Sequence, residues 1–271
     1  MTQFSVLMSV YNKENPDYLR QSLDSIFKQT LPPTEVVLVQ DGALDDELLQ
    51  VIDHYQTNHE ELKTVRLPEC HGLGGALNEG LHHCSYDLVA RMDTDDISKP
   101  ERFKIQIKWM EQHPEVDVCG SWIDEFTGAT TNVISSRKPP RDHDAILHFA
   151  RKRNPINHPT VVFRRQAVEK AGGYQHFYLF EDYYLWIRMM MSGSQFHNIQ
   201  QSLLLFRMSD DMFQRRGGLK YTQSEIRLQR QLHHMGFIGW GTMLQNIFYR
   251  TVVRNMPNRL RRFVYISLIR R

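Results

Sequence analysis

A chain of 271 residues, 41% of them hydrophobic, can bury a sizeable core, and it is long for one compact unit. No stretch approaches the roughly 18 consecutive apolar residues of a membrane-spanning helix, and the N-terminus opens on a strand-like run in place of a signal peptide. Three cysteines, Cys70, Cys84 and Cys119, are an odd number without metal-ligand spacing, which argues against a disulfide framework and leads us to expect a cytoplasmic protein.

The net charge of +2 hides an asymmetry: after Glu225 there are nine arginines and no acid, so residues 1–226 carry −7 and residues 227–271 carry +9. We therefore expect an acidic body and a helical, basic C-terminal extension. We place the body at 1–215, divided into 1–98 and 99–215, and the extension at 216–271.

Phe4 to Val10 reads as a first strand, and Asn15-Pro16 opens a helix with Leu19, Leu23, Ile26 and Phe27 on one face. Val36 to Val39 is a second buried strand closing on Asp41-Gly42, followed by a helix marked by Leu48, Leu49, Ile52 and Tyr55. Leu62 to Leu67 is a third strand. His71-Gly72-Leu73-Gly74-Gly75 then leads into a short helix, and the apolar run from Leu88 is a fourth strand. Strands alternating with helices predict an α/β fold with a doubly wound, mostly parallel sheet and right-handed crossovers. The glycine spacing and its place after the third strand exclude a dinucleotide-binding fingerprint, and with it a Rossmann dehydrogenase.

The fourth strand ends in Asp93-Thr94-Asp95-Asp96. In extended backbone Asp93 and Asp95 share a face and Asp96 points to the other. Such a pair repels itself unless a cation lies between, and hard oxygen ligands suit Mg²⁺ or Mn²⁺ shared with a phosphorylated ligand. The same residues also fit a solvated turn, with Ser98 capping a helix that has Pro100 in its first turn. Tyr11, Asn12 and Asp41 fall at the ends of their own strands, so all these polar groups gather on one rim of the sheet.

Beyond the rim we expect a helix with Phe103, Ile107 and Met110 inward, a strand over Val116–Trp122, a linker at Lys138-Pro139-Pro140 and a short helix near Ala145–Ala150. The loop Asn154-Pro155-Ile156-Asn157-His158-Pro159, a strand Thr160–Phe163, a buried helix Tyr183–Met191 and a last strand Ser202–Arg207 follow.

Taken in order, Ser9-Val10-Tyr11-Asn12, Val39-Gln40-Asp41-Gly42, Gly72-Leu73-Gly74-Gly75-Ala76-Leu77-Asn78, and Met92-Asp93-Thr94-Asp95-Asp96-Ile97 with Pro100-Glu101-Arg102-Phe103 resemble the family 2 glycosyltransferases of the GT-A fold. The resemblance implies an inverting transferase that uses Mn²⁺ or Mg²⁺ and moves one sugar from a nucleotide-sugar, UDP-linked by family habit. The acceptor would be a saccharide or lipid-linked saccharide in cell-surface polysaccharide biosynthesis.

Carried over, Tyr11 packs on the base, Asp41 bonds its edge, and Asp93 lies near the ribose or diphosphate. Asp95, with Asp93, binds metal, while Ser9, Asn12 and Asn78 are further nucleotide-sugar contacts. Asp182 in the pair Glu181-Asp182 resembles the catalytic base. Glu181, Trp186 and His158 would face the acceptor, though a histidine bonded to loop backbone is the plainer reading of His158. Arg207, Arg215 or Arg216 would stand over the diphosphate. The Gln-x-x-Arg-Trp motif of processive members is missing, Leu205-Phe206-Arg207-Met208 standing in its place.

Two rivals remain. A sugar-phosphate nucleotidyltransferase would open on a glycine-rich loop that Ser9–Asn15 lacks, and a non-catalytic, membrane-docked binding protein would not need Asp93, Asp95 and Asp182. The arginines and apolar residues of 227–271, Phe237, Ile238, Trp240, Ile247, Phe248, Tyr249, Phe263, Tyr265 and Ile266 among them, fit either an anionic membrane surface at the inner face of the cell membrane or a helical cap on the body. Nucleic acid is not expected as a partner, because the acidic body would oppose it.

Overall fold

The structure, a computed structural model, describes residues 2–208 and 219–254. The expected boundary at 215, Arg215 and Arg216, and the tail residues Phe263, Tyr265 and Ile266 lie outside the described residues.

The first half follows the sequence closely. Strands β1 (Ser5–Val10), β2 (Glu35–Gln40), β3 (Leu62–Arg66) and β4 (Leu88–Arg91) run parallel in the order β3-β2-β1-β4, alternating with helices α1 (Pro16–Phe27), α2 (Asp46–Asn58) and α3 (Gly72–His83). The strands read as apolar runs because helices cover both faces: Val6, Met8, Val36 and Leu38 pack with α1 and α2, and Leu7, Val37 and Val39 pack with α3. Asn15 caps α1 by accepting from the N–H groups of Asp17 (2.8 Å) and Tyr18 (3.2 Å), with Pro16 in the first turn. Asp45 caps α2 through the Leu48 N–H (3.0 Å).

The second half departs from a purely parallel sheet. After β5 (Ile97–Ser98) and α4 (Arg102–Gln112) come β6 (Val118–Phe126), β7 (Val133–Arg137), α5 (His143–Ala150), a 3₁₀ turn His158–Thr160, β8 (Val162–Arg164), α6 (Arg165–Lys170), α7 (Glu181–Met191) and β9 (Phe196–Arg207). The sheet continues as β4-β8-β6-β9-β5, with β7 beside β6. Strand β8 lies antiparallel between β4 and β6, whereas β9 is parallel to β6.

Three differences from the sequence reading have physical causes. Strand β9 begins at Phe196, well before Ser202, and the polar residues around Gln200 are absorbed where the β6–β9 register shifts between Ser121 and Trp122. Strand β7, Val-Ile-Ser-Ser-Arg, has one exposed and four half-buried residues and so shows no apolar alternation. Ser98 lies in β5 and caps no helix: α4 starts at Arg102, and the Ser98 hydroxyl accepts from Arg102 Nη1 (2.9 Å).

Helices α8 (Leu219–His234) and α9 (Trp240–Arg254) form a hairpin through Gly236, whose φ of +80° suits glycine. Tyr221, Leu228, Leu232, Ile238 and Met243 join the apolar cluster of Phe180, Tyr183 and Trp186, so the hairpin shares the core of the body. Phe237 and Ile247, half-buried, pack against it.

Close packing of α3 on the sheet fixes the rim. A Cβ on Gly80 would collide with Leu7 Cδ1 and stand 2.7 Å from Val39 Cγ2, both fully buried. Gly80→Val should therefore destabilise the protein by about 1–3 kcal/mol through overpacking, read as a lower urea midpoint with an unchanged slope.

Candidate active site

The acidic turn hangs from the end of β4. The Met92 N–H donates to Leu7 O (3.0 Å), and the chain then leaves the strand. Because the backbone turns there, the alternation expected for an extended segment fails at Asp96. Oxygens of Asp93, Asp95 and Asp96 all come within 4.8 Å of one another, so Asp96 joins the pair and does not face away from it.

Neighbouring elements hold this turn on every side. From α1, Ser22 Oγ donates to Asp93 O (2.8 Å) and Ser25 Oγ accepts from the Ser98 N–H (3.0 Å). Thr94 Oγ1 donates to Glu14 Oε2 (2.8 Å). At the end of β9, the Arg207 N–H donates to Asp96 Oδ1 (2.9 Å), Nε to Asp95 O (2.8 Å) and Nη2 to Gln21 Oε1 (2.8 Å). The Arg207 guanidinium stacks over Tyr18 at 3.9 Å and Phe126 at 4.7 Å, so this buried arginine is a fastener of the turn.

Two more arginines lie fully buried beneath the turn. Arg91 is ion-paired with Asp93. Arg102 donates from Nη2 to Arg91 O (2.7 Å) and from Nε to Gln106 Oε1 (3.0 Å). Gln106 in turn donates to Thr160 O (2.8 Å).

Burial and the charge of Asp93 push the Asp95 carboxyl up to about 7, and burial, with its two acidic neighbours adding, holds Asp96 well above the usual carboxylate range. Burial, with the neighbouring charge of Arg91, brings Arg102 down to about 9. Asp96 Oδ2 is buried and has no hydrogen-bond partner among the described residues. Three hard oxygen donors so close together, one of them unpartnered, fit a divalent cation such as Mg²⁺ or Mn²⁺.

The rest of the rim lies on the adjacent strand ends. Ser9 is in β1, and Tyr11 and Asn12 follow it, exposed, with Tyr11 at 38%. Val10 pairs with Gln40, which brings Asp41 alongside. The buried Asp41 carboxylate accepts from the His71 N–H (2.6 Å) and the Cys70 thiol (3.3 Å), tying the entry of α3 to the rim. Asn78 has both its amide atoms on the backbone of Tyr174, donating to O (2.6 Å) and accepting from N–H (2.7 Å).

Asp182 lies in the first turn of α7, half-buried, and its Oδ2 accepts from Asn154 Nδ2 (2.7 Å). Burial raises its pKa, outweighing the Tyr183 N–H, Asn154 and nearby arginines that stabilise the ionised form. Glu181, half-buried beside it, is raised by burial and by the Asp182 charge. His158 is buried, its Nε2 2.9 Å from the Tyr174 hydroxyl, and burial, with Arg91, holds its pKa well below the usual value. It bonds a side-chain hydroxyl, where the plainer reading of the loop put backbone.

Trp186 is fully buried, with its ring edge-on to His158 at 5.9 Å, and Phe180 and Tyr183 are also core residues. Being fully buried, Trp186 has no face to offer a sugar, which corrects the expectation that it would face the acceptor. The apolar side chains exposed in this region are Tyr178 and Leu179, the latter at φ +62°.

Arg91 and Tyr174 are supports the sequence reading did not single out, and Arg102 stood in the Pro100-Glu101-Arg102-Phe103 motif without a role. A cation inside the apolar run Leu88–Met92 was the available signal for Arg91; Tyr174 gave none. Its hydroxyl is raised by burial, and the charges of Asp182 and Asp93 both add to the shift, so it lies in the field of both acidic groups.

The sequence pattern that describes glycosyl transferase family 2 matches residues 5–172. The chain belongs to this family. It is 38% identical over 269 residues to the Escherichia coli UDP-Gal:alpha-D-GlcNAc-diphosphoundecaprenol beta-1,3-galactosyltransferase, covering 99% of this chain and 97% of that one. It is 43% identical over 265 residues to the amylovoran biosynthesis glycosyltransferase AmsE of Erwinia amylovora, covering 97% of each.

Among solved structures, S. aureus TarS residues 1–349 in complex with UDP-GlcNAc matches with a TM-score of 0.65 at 18% identity, over 85% of this chain and 66% of that one. The mannosyltransferase PcManGT from Pyrobaculum calidifontis, in complex with GDP-Man and Mn²⁺, matches with a TM-score of 0.61 at 16% identity, over 96% and 71%. The fold is GT-A, and the protein is a glycosyltransferase.

The buried, neutral His158 generates a pH dependence. Its folded pKa lies below the unfolded value, so the stability gained by keeping it neutral is complete above about pH 6.5 and is lost as pH falls below that, when the unfolded chain takes up a proton. The stability advantage of wild type over His158→Gln should be constant near pH 8 and shrink below 6.5 by at most about 1.4 kcal/mol per pH unit. Urea unfolding of both proteins across that range checks it.

Proposed function

We propose that this glycosyltransferase transfers one sugar, with inversion, from a UDP-sugar to a diphospholipid-linked saccharide in cell-surface polysaccharide biosynthesis. It would work on the cytoplasmic side, peripheral to the inner face of the cell membrane. The observation that carries the reading is the three-carboxylate turn on the rim of the sheet, with Asp182 on the neighbouring helix α7. The galactosyltransferase activity named for the E. coli relative and the role in amylovoran biosynthesis named for the Erwinia relative support the donor and acceptor classes.

In this reading Tyr11 packs on the base, Asp41 accepts from its edge, and Ser9 and Asn12 line the same end of β1. Asp95, with Asp93 and Asp96, would hold Mn²⁺ or Mg²⁺, which supplies positive charge against the departing diphosphate. Asp182 accepts the proton of the acceptor hydroxyl as its oxygen forms the new bond to the anomeric carbon. The bond from that carbon to the diphosphate oxygen breaks on the opposite face, which inverts the centre. A raised pKa makes Asp182 a stronger base in its ionised form. Glu181 orients the acceptor. Arg207 and Asn78 act as fasteners: Arg207 holds the acidic turn, and Asn78 holds Tyr174 between the two acidic groups.

A panel of nucleotide sugars, screened for Mn²⁺- or Mg²⁺-dependent release of nucleoside diphosphate, tests the reaction. Release from no donor, with any saccharide or diphospholipid acceptor, would contradict it.

Two substitutions test the residues. Asp95→Ala should abolish metal-dependent UDP binding in calorimetry while the protein still melts cooperatively. Asp182→Asn keeps the shape but cannot take a proton, so turnover should fall roughly 10²–10⁴-fold with UDP affinity and melting temperature nearly unchanged. Wild-type turnover in Asp182→Asn would move the base elsewhere.

A further inference from the structure

Helix α9 packs Met243 and Ile247 on the core, yet most of its large apolar side chains stay exposed, whereas a surface helix of a soluble domain buries its apolar stripe. Its inward face carries Asn246 and Arg250. Asn246 Nδ2 donates to Gln229 Oε1 (2.8 Å) and Arg151 O (2.9 Å), and Arg250 is ion-paired with Glu225 and donates to Lys152 O. Its outward face carries Trp240, Leu244, Phe248, Tyr249 and Val252, with Trp240 and Phe248 each 65% exposed. Positions 240, 244, 248 and 252 are four apart and so lie along one side. These five are nearly half of the exposed large apolar residues described, gathered on one helix.

The surroundings are basic. Helix α8 exposes Lys220, Arg227 and Arg230, and the sequence after α9 adds Arg259, Arg261, Arg262, Arg270 and Arg271 without an acid. Aromatic and aliphatic side chains among arginines fit an anionic lipid surface, where apolar insertion and charge attraction act together. A second copy fits less well, because a two-fold contact would bring this basic patch against itself. The acidic body, at −7, would be repelled by the same lipid, which leaves the hairpin as the side that approaches.

We propose that the outward face of α9 docks this protein on an anionic bilayer and thereby sets the acceptor side of the active site against it. The link to the site is direct. The carbonyls that α9 grips belong to Arg151 and Lys152, and Asn154, two residues on, holds Asp182. From α8, Ser224 Oγ donates to Tyr178 O (2.7 Å) in the loop before α7. Docking stands independently of the transferase reading; the orientation of the site rests on it.

Flotation of the full chain with vesicles tests the docking, without donor or acceptor. Wild type should float with phosphatidylglycerol-rich vesicles and not with pure phosphatidylcholine. Trp240→Ser/Phe248→Ser removes two exposed rings, so it should keep its melting temperature and its UDP-sugar hydrolysis while floating at least about tenfold less. Equal flotation of the two proteins, or no flotation of wild type, overturns the docking. A wild-type dimer that the double variant splits, seen by light scattering, overturns it in favour of a second copy. For the orientation, transfer to a diphospholipid saccharide embedded in the same vesicles should fall about tenfold in the double variant with hydrolysis unchanged. Equal transfer overturns it.

Discussion

Mutual repulsion of three carboxylates within 4.8 Å of one another is the constraint around which the rim is built. Such a turn would open unless backbone bonds and countercharge held it. The chain supplies both from elements far apart in sequence: hydroxyls of α1, the Arg207 guanidinium from β9, and Arg91 and Arg102 buried beneath. The countercharge is incomplete, since Asp95 is pushed up to about 7 and one Asp96 oxygen has no partner among the described residues. In the proposed reading, a cation shared with a diphosphate would relieve this residual repulsion, and the relief would add to affinity.

Arg102, through Gln106 and the Thr160 carbonyl, ties the acidic turn to the stretch of chain that carries His158. Strand β8 lies antiparallel between β4 and β6, which puts the 3₁₀ turn with His158 beside the end of β4. His158 reaches the Tyr174 hydroxyl, Tyr174 is gripped through its backbone by Asn78 of α3, and Asn154 from the same loop reaches Asp182. Asn154 and His158 come from one loop, so a single stretch of chain sets the groups around Asp182 and around Tyr174.

Much of the first half was legible in the sequence because parallel strands buried on both faces are apolar runs, and because Asn15-Pro16 marks a helix start by local chemistry alone. The second half was harder: β7 shows no alternation, and β9 hides polar residues at a register shift. At the site, an acid cluster at a strand end was readable. Its supports were not, since Arg102 and Arg207 act through contacts that only the fold creates. Trp186 shows the converse. An aromatic beside the presumed base reads as a sugar platform, yet α7 turns that ring into the core, where helical periodicity with Tyr183, Met189 and Met190 puts it. Asp96 failed for a local reason, because period-two alternation ends where the backbone leaves β4 at Arg91.

The central claim is that the acidic turn is a cation site serving a nucleoside diphosphate. Anomalous diffraction from crystals grown with Mn²⁺ and UDP tests it most directly. The account predicts one manganese peak at bonding distance from an Asp95 oxygen and from the diphosphate, with Arg207 still fastened to the turn. An ordered UDP diphosphate with no metal at the turn, or manganese bound only away from Asp93, Asp95 and Asp96, would contradict it.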